Sequence, residues 1–97
     1  MAFLILPSGE QRNVAPAKGK RFTLQELQNF VGGYIELVTL SPKLSMFVNE
    51  DGKRLQLARN DCATRFARHV LHHNGRDLFP GDGLVGTVFI FRKGEVD

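Results

Sequence analysis

The sequence predicts an α+β fold: a small, mostly antiparallel sheet with two helices packed on one of its faces. Three observations predict it. Two segments, 23–33 and 60–75, carry apolar residues at helical spacing with start and stop signals at their ends. The remaining apolar runs are short and rich in β-formers. Clusters of Gly, Pro, Asn and Asp separate them. The expected order is β-β-α-β-β-β-α-β, in one domain over residues 1–97.

The elements follow in chain order. "AFLIL" (2–6) is apolar and stopped by "PSGE", a buried strand and then a turn. "QRNVA" (11–15) is its weaker hairpin partner, short and polar enough for a sheet edge. "PAKGKR" (16–21) is a basic loop. In "TLQELQNFVGG" (23–33), Thr23 and Glu26 form a capping box. Leu24, Leu27 and Val31 form one stripe, Phe22 staples the entry, and Gly32 or Gly33 stops the helix. "YIELVTL" (34–40) and "LSMFVN" (44–49) read as strands, the second a candidate edge through which the chain dimerises. "NEDGK" (49–53) reads as a hairpin turn with Gly52 at positive φ, and "RLQL" (54–57) as the returning strand. The acids Glu50 and Asp51 are then turn residues. "NDCATRFARHVLHHNG" (60–75) is the second helix, capped by Asn60 or Asp61 and ended by Gly75. "GDGLVGTVFIFRK" (81–93) is a turn and a last strand, apolar enough to be central in the sheet.

Composition narrows the function classes. The net charge of +3 and a pI of about 9.4 permit an anionic partner without demanding one. The single Cys62 allows no intrachain disulfide, which fits a reducing compartment and a cytoplasmic location. No apolar run approaches the length of a membrane span, and no signal peptide is expected. With one Tyr and no Trp, a base-stacking platform is poorly supported.

The second helix carries the most chemistry. At 100° per residue from Cys62, Ala63, Phe66, Ala67 and Val70 fall between roughly 40° and 140°. Arg65, Arg68, His72 and Arg76 fall between roughly 240° and 320°, an outer basic face that suits phosphates or an acidic protein surface. Lys18, Lys20 and Arg21 extend that surface if their loop packs on the same side. Tyr34, Glu36 and Phe47 form an alternative binding face on the strands. His69 and His73 sit at i, i+4, but Cys62 lies about 10 Å of rise from His69 and no second cluster completes a metal site. No nucleophile–base pair survives the same spacing tests. "GDGLVG" matches G-x-G-x-x-G by letters, but it precedes a strand and opens no helix. No catalytic residue, metal or cofactor is therefore expected.

"LILP", "LQNFVGGYIELV", "VNEDGKRLQL" and the late "GDGLVGTVFI" together resemble a family of small proteins of unknown function from phages, plasmids and other bacterial mobile elements. The likeness runs from about residue 3 to 91. The segment "LARNDCATRF" departs from the family, which more often has proline and small residues there. The resemblance implies a mobile-element origin and brings no catalytic residue. The expected function is a non-enzymatic binding protein, accessory or counter-defence, that occupies a host protein or a nucleotide-like anionic small molecule. The alternative is a nucleic-acid binder using the basic helix face.

Overall fold

The computed structural model describes residues 2–76 and 83–96. The strands are β1 (Phe3–Ile5), β2 (Gln11–Asn13), β3 (Ile35–Thr39), β4 (Leu44–Asn49) and β5 (Val88–Arg92); the helices are α1 (Leu24–Val31) and α2 (Asp61–His73). They make an α+β fold on one five-stranded sheet in the order β2-β1-β5-β4-β3, with every pairing antiparallel. β5 is central, as its apolar run predicts. Residues 81 and 82 of the expected "GDGLVG" turn lie outside the described residues.

The helices do not share a face of the sheet. Strand residues alternate sides, and β5 is apolar on both. Val88 and Ile90 pack with Ala63, Ala67 and Leu71 of α2, together with Ile5, Met46 and Val48. Phe89 and Phe91 pack with Leu27 of α1, together with Phe22 and Phe47. A strand buried on both sides needs a cover on both, so one helix lies on each. The α1 side is an aromatic layer, with Phe47 stacked on Phe91 at 4.8 Å and Phe30 on Phe89 at 5.5 Å.

Other expectations change for local reasons. Residues 54–57 form no strand; 50–56 are a coil of turns, held by Leu55 N–H to Asp51 O (2.8 Å) and Leu57 N–H to Gly52 O (3.0 Å). A returning strand cannot pair back onto β4, because β4 already pairs with β3 and β5. For the same reason β4 is not an edge; the edges are β2 and β3. Gly52 does not adopt positive φ. A side chain there would meet Val85 Cγ2 at 2.8 Å, so the position requires close approach of backbone rather than a special turn. Leu24 is exposed, leaving Leu27 and Val31 as the buried stripe of α1.

The capping box of α1 is present: Glu26 N–H donates to Thr23 Oγ1 and Thr23 N–H to Glu26 Oε1. Gly32 ends the helix at φ 80°. Among the described residues no helix is long and apolar enough to cross a membrane.

Candidate functional site

The start of α2 is fixed by one buried side chain. Asn60 is fully buried and caps the helix through Oδ1, which accepts from Ala63 N–H at 3.0 Å. Its Nδ2 donates to Ile5 O of β1 (2.9 Å) and to Gly86 O ahead of β5 (2.7 Å). Its N–H donates to Leu84 O, and Thr64 Oγ1 accepts from Leu84 N–H at 2.8 Å. These bonds hold residues 84–86 against the first turn of α2.

α2 covers the sheet over β1, β5 and β4. Beside it, toward β3, lies a groove of about 450 Å³. Its apolar floor comes from Val38 of β3, Met46 and Val48 of β4, and Leu71 of α2, with Leu84 and Val85 at one side. Period-two alternation places these strand residues together. Lys53, Arg54 and Arg76 line it as cations, and Glu36, Glu50 and Asp51 as acids. Arg54 pairs with Asp51 at 3.4 Å. Arg76 Nη1 donates to Thr39 O at 3.3 Å, so the chain just past α2 reaches across to β3.

Two more hollows adjoin at Gly83, which lines all three. One is bounded by Lys53, Arg59 and residues 83–85. The other lies along the first half of α2, between Arg59, Asp61, Thr64, Arg65 and Arg68. Arg59 approaches Asp61 at 3.3 Å with both side chains largely in solvent, where such a pair holds its geometry weakly. Among the described residues, three arginines and one aspartate line this end, and three cations and three acids line the groove. The surface thus runs from an apolar floor with mixed charge to a basic cleft.

Sequence reasoning places part of this. Arg65 and Arg68 line the basic cleft and Arg76 the groove; His72 is exposed on α2 but lines neither. Lys18, Lys20 and Arg21 do not extend the surface. Their loop is tied to α1 by Ala17 N–H to Glu26 Oε2 (2.9 Å), and α1 lies on the other side of the sheet. Tyr34, Glu36 and Phe47 do not form one face. Glu36 lines the groove, whereas Phe47 is buried in the aromatic layer on the opposite side of the sheet. Tyr34 is exposed beside the end of α1. Glu50 and Asp51 are turn residues: Asn49 Oδ1 accepts from Asp51 N–H at 2.8 Å, although both acids also line the groove.

Sequence reasoning misses Lys53, Arg54, Arg59 and the floor residues. The visible signal for Arg59 is its place just before the cap residue, beside the helix start. The floor needs knowledge of which side of the sheet each helix covers. His69 and His73 touch edge to face at 4.4 Å between ring centroids. Among the described residues, no three His, Cys, Asp or Glu side chains gather as an ion would require. Cys62 is half-buried against the α2 core.

No curated protein and no solved structure is significantly similar to the chain. Comparison with known families matches residues 1–96 to the domain of unknown function DUF3846, and the chain belongs to that family.

Proposed function

We propose that the chain is a non-enzymatic binding protein whose groove and basic cleft together hold a nucleotide-like anion. The observation that carries this reading is the meeting of three hollows at Gly83: an apolar floor at one end and Arg59, Arg65 and Arg68 at the other. A ring lies against the half-buried Val38, Leu84 and Val85, above the buried Met46, Val48 and Leu71, where burial of apolar area drives it in. Glu36 and Glu50 accept from exocyclic or sugar donors. Phosphates lie toward the arginines, whose planar forks match phosphate oxygens. A mobile-element setting, with an accessory or counter-defence role, is what the sequence resemblance supports, and the single cysteine supports a cytoplasmic location. In that setting the protein acts by sequestering its ligand.

A screen of mononucleotides, cyclic dinucleotides and short DNA and RNA by calorimetry, with chelator present, tests the reading. The expected result is saturable binding of a nucleotide without turnover, weakened about tenfold or more by Arg65→Glu with Arg68→Glu. Steady hydrolysis, or no nucleotide bound, contradicts it.

A second reading is favoured by the basic cleft itself, where Arg59, Arg65 and Arg68 converge along α2. Nucleic acid would be held there through phosphates. Its affinity would then fall steeply between about 50 and 200 mM salt and ignore changes to the groove floor. Sensitivity to Val38→Lys, at a half-buried position of the groove lining, separates the two, since only the nucleotide reading uses the floor.

A further inference from the structure

The two edges of the sheet are built differently. β2 is three residues long, polar and exposed throughout, and its Arg12 pairs with Glu10 just ahead of the strand at 2.8 Å. Such an edge resists pairing with another chain. β3 is longer and has none of these guards: Ile35–Thr39 contains no Lys, no Pro and a single charge, Glu36. Leu37, at its centre, is 56% exposed.

The ladder with β4 shows which backbone groups of β3 are spent. Glu50 N–H donates to Tyr34 O and Leu40 N–H to Leu44 O. With Leu37 opposite Phe47 and Val38 opposite Met46, the hydrogen-bonded pairs on β3 are the even residues. The N–H and C=O groups of Ile35, Leu37 and Thr39 therefore point away from β4, at an edge where β4 is the only strand neighbour among the described residues; Thr39 O already accepts from Arg76 Nη1, and a second lone pair is left for a partner strand.

We infer that a second copy of this chain pairs with β3 through its own β3, antiparallel and centred on Leu37. The sequence is self-complementary in that register. Leu37 exchanges two hydrogen bonds with Leu37 of the second copy, and Ile35 pairs with Thr39 in both directions. Neighbouring leucine side chains cover each other on the α1 side. Glu36 lies opposite Val38, so no like charges face one another. Charge complementarity fixes the choice of occupant. Arg76 reaches Thr39 O from the groove side, and Glu36 lines that groove. Thr39 lies opposite Ile35 of the second copy, so Glu36 of the second copy comes beside Arg76, and the symmetry makes this contact twice. Each pair runs across the junction, and the two grooves become neighbours on one continuous sheet. The contact is a single strand wide, at the small end of specific interfaces, so the dimer is a micromolar one, with Kd about 1–100 µM.

Sedimentation equilibrium from about 5 to 500 µM, with hydrogen exchange at each end of that range, tests this. The expected result is a monomer–dimer equilibrium in which the Leu37 amide gains protection as concentration rises. Leu37→Glu sets like charges opposite each other and weakens association about 100-fold or more, while the exposed position leaves the fold intact by circular dichroism. Glu36→Arg weakens it as well, and adding Arg76→Glu to Glu36→Arg restores it. A wild-type monomer throughout, or a dimer indifferent to Leu37→Glu, overturns the inference. So does a charge-swapped pair that fails to recover.

Discussion

Asn60 does three jobs with one amide: it caps α2, grips β1 and holds the chain ahead of β5. At an exposed cap, Asp serves about as well as Asn. Here Asp cannot donate to Ile5 O and Gly86 O, and it would bring a charge to a fully buried position. Asn60→Asp is therefore expected to cost at least as much as Asn60→Ala, about 3 kcal/mol. In urea this appears as a lower midpoint with an unchanged slope. An Asp variant as stable as wild type would show that the cap alone matters. At Gly52, Ala would meet Val85 Cγ2 at 2.8 Å and Asn49 O at 3.3 Å. Gly52→Ala is expected to cost about 1–2 kcal/mol by overpacking. Replacing Glu50 with Asn and Asp51 with Ser should stay within about 0.5 kcal/mol, because the turn is held by backbone and by Asn49. A cap at Asn60 or Asp61 is legible in the sequence, since capping is local, and the structure places it at Asn60. Its two long-range bonds are not, because nothing at positions 59–64 specifies that β1 and the chain ahead of β5 arrive there.

At the scale of elements, α1 is the most legible. Its box, stripe and terminating glycine are all set by residues within one or two turns of each other. The carboxylate of Glu26 is held below its ordinary pKa by the backbone N–H of Thr23 and then that of Ala17. A depressed folded-state value means that stability is present above the ordinary glutamate value and lost as pH falls through the lower one. The gap between wild type and Glu26→Gln in unfolding midpoint is therefore expected to narrow as pH falls from about 6 to about 3. A gap that stays constant would show that the ionised form adds nothing. Segment 54–57 shows the opposite case. Its alternating leucines have a strand's period, but pairing is a property of the sheet, and both sides of β4 are taken. Leu55 is left exposed, and the segment coils.

At the scale of the molecule, the arrangement that matters is a sheet covered by one helix on each side. The apolar run of β5 carries that information, because residues buried on alternating sides require two covers. Assigning both helices to one face leaves room for Lys18, Lys20 and Arg21 beside α2, and the separation of the layers removes it; the register, with Leu37 opposite Phe47, sets Glu36 and Phe47 on opposite sides. It also creates the groove, where α2 covers β1, β5 and β4 and leaves Glu36 and Val38 of β3 to line the open flank. The most direct measurement of ligand binding on this surface is an amide-resolved NMR titration with the nucleotide that binds best in the screen. The expected shifts cluster at Val38, Met46, Val48, Arg59, Arg65 and residues 83–85, and saturate together. Shifts confined to the α1 side around Tyr34 and Lys18–Arg21, or to Arg65 and Arg68 with the floor unmoved, would contradict the account.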